Sequence, residues 1–105
     1  MDTYNINDPE DRLTMAVLEL LDYNKEHVPL TPTNVEVYRR GSARYIEKIE
    51  KAFLNYYEKA DDDMEYKGKV ADMIDAITKG VRTLIDDVYK ETAKNPKINR
   101  NAFKL

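Results

Sequence analysis

Apolar residues recur at helical spacing along most of this chain, and one stripe keeps its phase without a break from Val35 to Ala60. At about 100° per residue, Val35, Tyr38, Ser42, Tyr45, Ile46, Ile49, Phe53 and Tyr56 fall within one face roughly 100° wide. Gly41 lowers helix propensity inside Arg39-Arg40-Gly41-Ser42 without shifting the pattern, so one long helix is predicted. A second long helix, from about Met64 to Ala93, gathers Val70, Met73, Ile74, Ile77, Val81, Leu84 and Val88 on one face. A shorter helix precedes both, from about Pro9 to Tyr23 or beyond. Asp8 suits its N-cap, Pro9 its first position, and Glu10 and Asp11 the positive end of its dipole. Leu13, Ala16, Val17, Leu20 and Leu21 form the expected core face of this helix. Met15 and Leu18 point off it by roughly 130° or more, which predicts contacts on two sides.

The connections set the expected topology. Pro29 and Pro32 bracket a connector, and Thr31-Pro32 repeats the pattern of a cap followed by proline, so the middle helix is expected to begin there. Asp61-Asp62-Asp63 offers a corner and a cap for the last helix. Two long helices joined by a short turn predict an antiparallel hairpin, each arm about 40 Å long, with the N-terminal helix covering little more than half of it. The expected fold is therefore all-α: a hairpin plus one helix in a helical bundle. Its uncovered apolar surface predicts a homodimer. Asn95-Pro96 ends the last helix, leaving residues 1–95 as one helical domain and 96–105 as a basic tail, extended or flexible.

Composition supports this picture. Apolar residues make up 42% of the 105 and charged residues 35%, while three Gly and four Pro leave little room for a turn-rich β fold. Without cysteine there is no disulfide framework and no thiolate metal site. The N-terminus lacks the basic and apolar regions of a signal peptide, and no apolar run approaches the roughly 18 residues of a membrane span. A cytoplasmic protein with no membrane partner is expected.

The net charge of −3 hides an asymmetry. Residues 1–36 carry eight acids against Arg12 and Lys25, whereas Lys94, Lys97, Arg100 and Lys104 stand unopposed in the last fourteen residues. Such a split either steers binding or holds the two ends of the chain together. Arg40, Arg44, Lys48 and Lys51 lie on one side of the middle helix, with Arg39 at the edge, which makes a candidate phosphate-tracking ridge for nucleic acid. Glu47 and Glu58 interrupt that side, as an ordinary solvated helix face would. The other candidate contacts are apolar or aromatic and suit a protein partner: Met15, Leu18, Tyr56 and Tyr57, and Ile98, Phe103 and Leu105 in the tail.

Glu47-x-x-Glu50 and Asp72-x-x-Asp75 form paired carboxylates three residues apart on the two long helices. This pattern, over about residues 45–78, resembles the all-α nucleotide pyrophosphohydrolases of the MazG type. The resemblance implies magnesium bound between helices and a metal-dependent hydrolase. Lys69 departs from it, standing where that family would place a further acid. Helical phase also sets Glu47, Asp72 and Asp75 about 140–160° from their core stripes, facing solvent. His27, the single histidine, falls near the end of the first helix, where a cation suits the dipole. No nucleophile elbow, phosphate-binding loop or dinucleotide fingerprint is present. No catalytic residue, cofactor or metal is therefore expected. The residues point to a non-enzymatic interaction or regulatory protein of adaptor or inhibitor type, with nucleic-acid binding as the alternative and the metal-dependent hydrolase a remote one.

Overall fold

A computed structural model describes residues 4–94. The chain is all-α: α1 spans Pro9–His27, α2 spans Val35–Lys59 and α3 spans Met64–Lys94, with no strand among the described residues.

Each helix start has a local cause. Asp8 caps α1, its Oδ2 accepting the Asp11 N–H at 3.0 Å, and Asp11 reaches back to accept the Asn5 N–H at 2.9 Å. The helix runs four residues past Tyr23, and Lys25 sits in its last turn, where its charge suits the free carbonyls. Asp63 caps α3 through Oδ1, which accepts the Tyr66 N–H at 2.8 Å. The start of α2 differs from expectation. Thr31 and Pro32 belong to a turn, because the Thr31 carbonyl accepts from both Asn34 (3.2 Å) and Val35 (2.9 Å) while Asn34 Oδ1 accepts the Thr31 N–H at 2.7 Å. That turn delivers the chain to Val35, where the apolar stripe begins.

The core lies along α2. Leu13, Ala16 and Leu20 of α1 and Ile74 and Val81 of α3 pack into one cluster with Tyr38, Ile49 and Tyr56. Val35 is also buried. Ser42, in phase with the stripe, is buried as well, its hydroxyl donating to the Arg39 carbonyl at 3.3 Å. Tyr23 of α1 lies against α2 at Gly41, where a side chain would collide with its phenol. Here the glycine permits a close approach that no other residue allows.

Two residues expected in the core are not there. Leu21 and Met73 are 46% and 48% exposed. Both α1 and α3 pack on α2, but no Cα of α1 comes within 8 Å of a Cα of α3, so the flanks these two helices turn toward each other stay open. Polar contacts tie the ends together. Tyr66 Oη donates to Glu10 at 3.0 Å, and Tyr89 Oη to Glu36 at 2.9 Å. Lys67 is nearly buried, and its ammonium donates at 2.8 Å to the Tyr57 carbonyl in the last turn of α2.

Candidate functional site

The basic ridge of α2 is exposed along its length, but most of its cations are already engaged. Arg39 forms a salt bridge with Glu36, Lys48 meets Glu19 of α1 at 2.7 Å, and Lys51 meets Glu47 at 3.2 Å. Arg40 approaches Glu36 only at 3.9 Å, and Arg44 has no ion pair among the described residues. The ridge therefore contracts to its centre, where Arg40 and Arg44 flank Gly41. Beside them Tyr23, Tyr45, Val37 and Lys48 complete an open hollow. Aromatic rings cluster beside this hollow: Tyr23 lies 4.1 Å from His27 and 4.9 Å from Tyr45, centroid to centroid, with the rings tilted to one another. His27 Nδ1 is 2.8 Å from the Tyr23 carbonyl, so the histidine closes the last turn of α1. Burial, with Tyr45 nearby, pushes the Tyr23 phenol above its ordinary value.

Met15 and Leu18, both off the core face of α1, lie on opposite flanks. Met15 lines a shallow groove with Lys48, Lys51 and Ala52 of α2. Leu18 lines a second groove, between α1 and α3, with Val17, Tyr66, Val70 and Met73. Glu10 is the one carboxylate in that second groove, and it holds the Tyr66 hydroxyl.

Tyr56 is corrected from a contact residue to a core residue. It has no exposed surface, and its hydroxyl donates to Asp62 at 2.7 Å beneath the α2–α3 corner. Burial first, and then that carboxylate, raise its pKa. Tyr57, on the next position of the helix, is 40% exposed and carries the Lys67 ammonium 5.4 Å from its ring centroid. Ile98, Phe103, Leu105 and the tail 96–105 lie outside the described residues. Glu47, Glu50, Asp72 and Asp75 are all exposed. Glu47 pairs with Lys51 and Asp75 with Lys79, at 3.1 Å for the latter, and no group of three potential metal ligands forms among the described residues.

The most perturbed carboxylate is Glu36. Hydrogen bonds from Arg39 and then Tyr89 lower it from 4.5 to about 2. A carboxylate held below its unfolded value adds stability that is complete above about pH 4.5 and is lost as pH falls toward 2. Glu36→Gln is therefore expected to flatten the acid limb of a plot of denaturation midpoint against pH between about 5 and 2. Parallel curves for the two proteins would remove this role.

Of the residues singled out in the sequence, Arg40, Arg44 and Lys48 line the hollow and Leu18 the groove between α1 and α3. Sequence reasoning missed Tyr23, Tyr45, Tyr66 and Val70, which join these sites only through the way the helices pair. A glycine in the middle of an unbroken stripe was the available signal for a close approach. Among the described residues no helix is long and apolar enough to cross a membrane. Comparison with protein-family models, with curated proteins and with solved structures finds no match.

Proposed function

We propose that this chain is a small, non-enzymatic helical interaction protein of adaptor or inhibitor type. In this reading α2 and α3 form an antiparallel hairpin with α1 laid against it. The protein acts in the cytoplasm as a homodimer, and the surface shared by the two copies is the groove between α1 and α3. The observation that carries the proposal is that Leu18, Tyr66 and Met73, exposed at 41%, 44% and 48%, line one groove together. A gap between two helices that both rest on a third is a natural seat for a fourth helix, and a second copy supplies one. The unequal helices point the same way: α1 is about 28 Å long and α3 about 46 Å, so one copy leaves much of α3 beyond the reach of α1. The lack of cysteine suits a reducing compartment.

Sedimentation equilibrium tests the proposal. The wild type should have about twice the 12.3 kDa mass of one chain. Leu18→Glu combined with Met73→Glu should reduce it to a monomer while leaving its helical circular dichroism intact, since both side chains are largely outside the core. A wild type that stays monomeric at high concentration, or a variant that still dimerises, would refute the shared groove.

A further inference from the structure

The hollow at the centre of the basic ridge has a composition unlike the rest of this acidic chain. Arg40, Arg44 and Lys48 stand one turn apart along α2, and no carboxylate lines the space between them. Its floor exists because Gly41 has no side chain. A Cβ built there would fall 1.8 Å from Tyr23 Oη, so the phenol rests directly on the backbone and α2 is left concave at this point. Tyr23 Oη is itself engaged, donating to the Val37 carbonyl at 3.3 Å. The Tyr45 hydroxyl has no hydrogen-bond partner among the described residues and stands at the rim beside Arg44 and Lys48.

We propose that this hollow binds the phosphate backbone of a single-stranded nucleic acid, with Arg40, Arg44 and Lys48 donating to successive phosphates. Guanidinium groups present paired donors that match phosphate oxygens, and two of them line this hollow on either side of Gly41 in the sequence. The four-residue interval advances about 6 Å along the helix, which suits successive phosphates of an extended strand better than a single anion. Tyr45 supplies a donor and an aromatic edge at the rim, as single-strand sites commonly do. Arg39 and Lys51 are not part of the site, because neither lines the hollow. Lys48 joins by exchanging Glu19 for a phosphate, and its side chain, 60% exposed, is free to move. The site uses no residue of the α1–α3 groove, so it stands or falls independently of the dimer.

The experiment is a titration of isotope-labelled protein with a short oligothymidylate at low salt, followed by amide shifts and by fluorescence anisotropy of the labelled strand. Shifts should concentrate at Gly41, Arg44 and Tyr45. Arg44→Glu should weaken binding at least about tenfold, whereas Arg39→Glu should change it less than about threefold. Arg44→Ala should make the slope of log affinity against log salt shallower by about one. Circular dichroism will show that the variants stay folded, since both side chains project into solvent. Three results would overturn the proposal. One is the absence of shifts at these amides. Another is equal weakening by Arg39→Glu and Arg44→Glu, which would mean diffuse attraction. The third is pyrophosphate binding as tightly as the strand, which would mean a site for a small free phosphate.

Discussion

Gly41→Val is expected to destabilise the protein by about 2 kcal/mol, although it replaces a residue poorly suited to a helix interior. Propensity alone predicts a gain of a few tenths of a kcal/mol. Against it stands the Tyr23 ring, whose Oη and Cζ would lie 1.8 Å and 2.4 Å from the new Cβ. The ring has little freedom to retreat. His27 and Tyr45 are 4.1 Å and 4.9 Å away on its neighbouring sides, and Tyr38 stacks at 5.7 Å. The valine must therefore push α1 away from α2 or eject Tyr23 from the stack. A double-mutant cycle with Tyr23→Ala separates this from a general helix effect. Gly41→Val should be close to neutral once the ring is gone. Additive losses in chemical denaturation would show that Tyr23 does not depend on the glycine.

Tyr56→Ala should cost about 3–5 kcal/mol, the range for removing a large buried ring. Tyr56 is completely buried, sits in the cluster with Leu13, Ile49 and Ile74, and has Phe53 6.1 Å from its ring. It also reaches across the α2–α3 corner to Asp62. Tyr56→Phe keeps the ring and loses only that hydrogen bond, so about 1 kcal/mol is expected. The ratio of the two losses measures how much of the corner is held by packing and how much by the hydroxyl. If Tyr56→Ala cost less than about 1 kcal/mol, the residue would be at the surface, as a contact residue would be.

What the sequence made legible was local. Asp8 and one of the three aspartates Asp61-Asp62-Asp63, namely Asp63, cap their helices because a cap needs only its own first turn, and the stripe from Val35 to Tyr56 is buried or half-buried because a helix fixes the phase of its residues. What it concealed was relational. Leu21 and Met73 satisfy the helical period of their own helices, yet they are exposed because α1 and α3 rest on α2 without closing on each other. Met15 and Leu18 looked equivalent, both being off the core face, but only the placement of α3 shows that they serve different grooves. Tyr56 and Tyr57 are adjacent and chemically identical, and one is buried while the other is not. A step of 100° decides it, and the sequence does not say where the corner of the bundle falls. The ridge of five cations read in sequence as interrupted only by Glu47 and Glu58. Glu36, Glu47 and Glu19 divide it, and the last of these comes from another helix.

The proposed dimer places a second copy of this chain in the groove between α1 and α3. Mixing isotope-labelled and unlabelled protein, and recording only magnetisation transfer between the two, tests it most directly. Intermolecular contacts are expected from the Leu18 and Met73 methyl groups, and they should be lost in the Leu18→Glu, Met73→Glu variant. Intermolecular contacts confined to other faces, or none from a sample of any concentration, would contradict it.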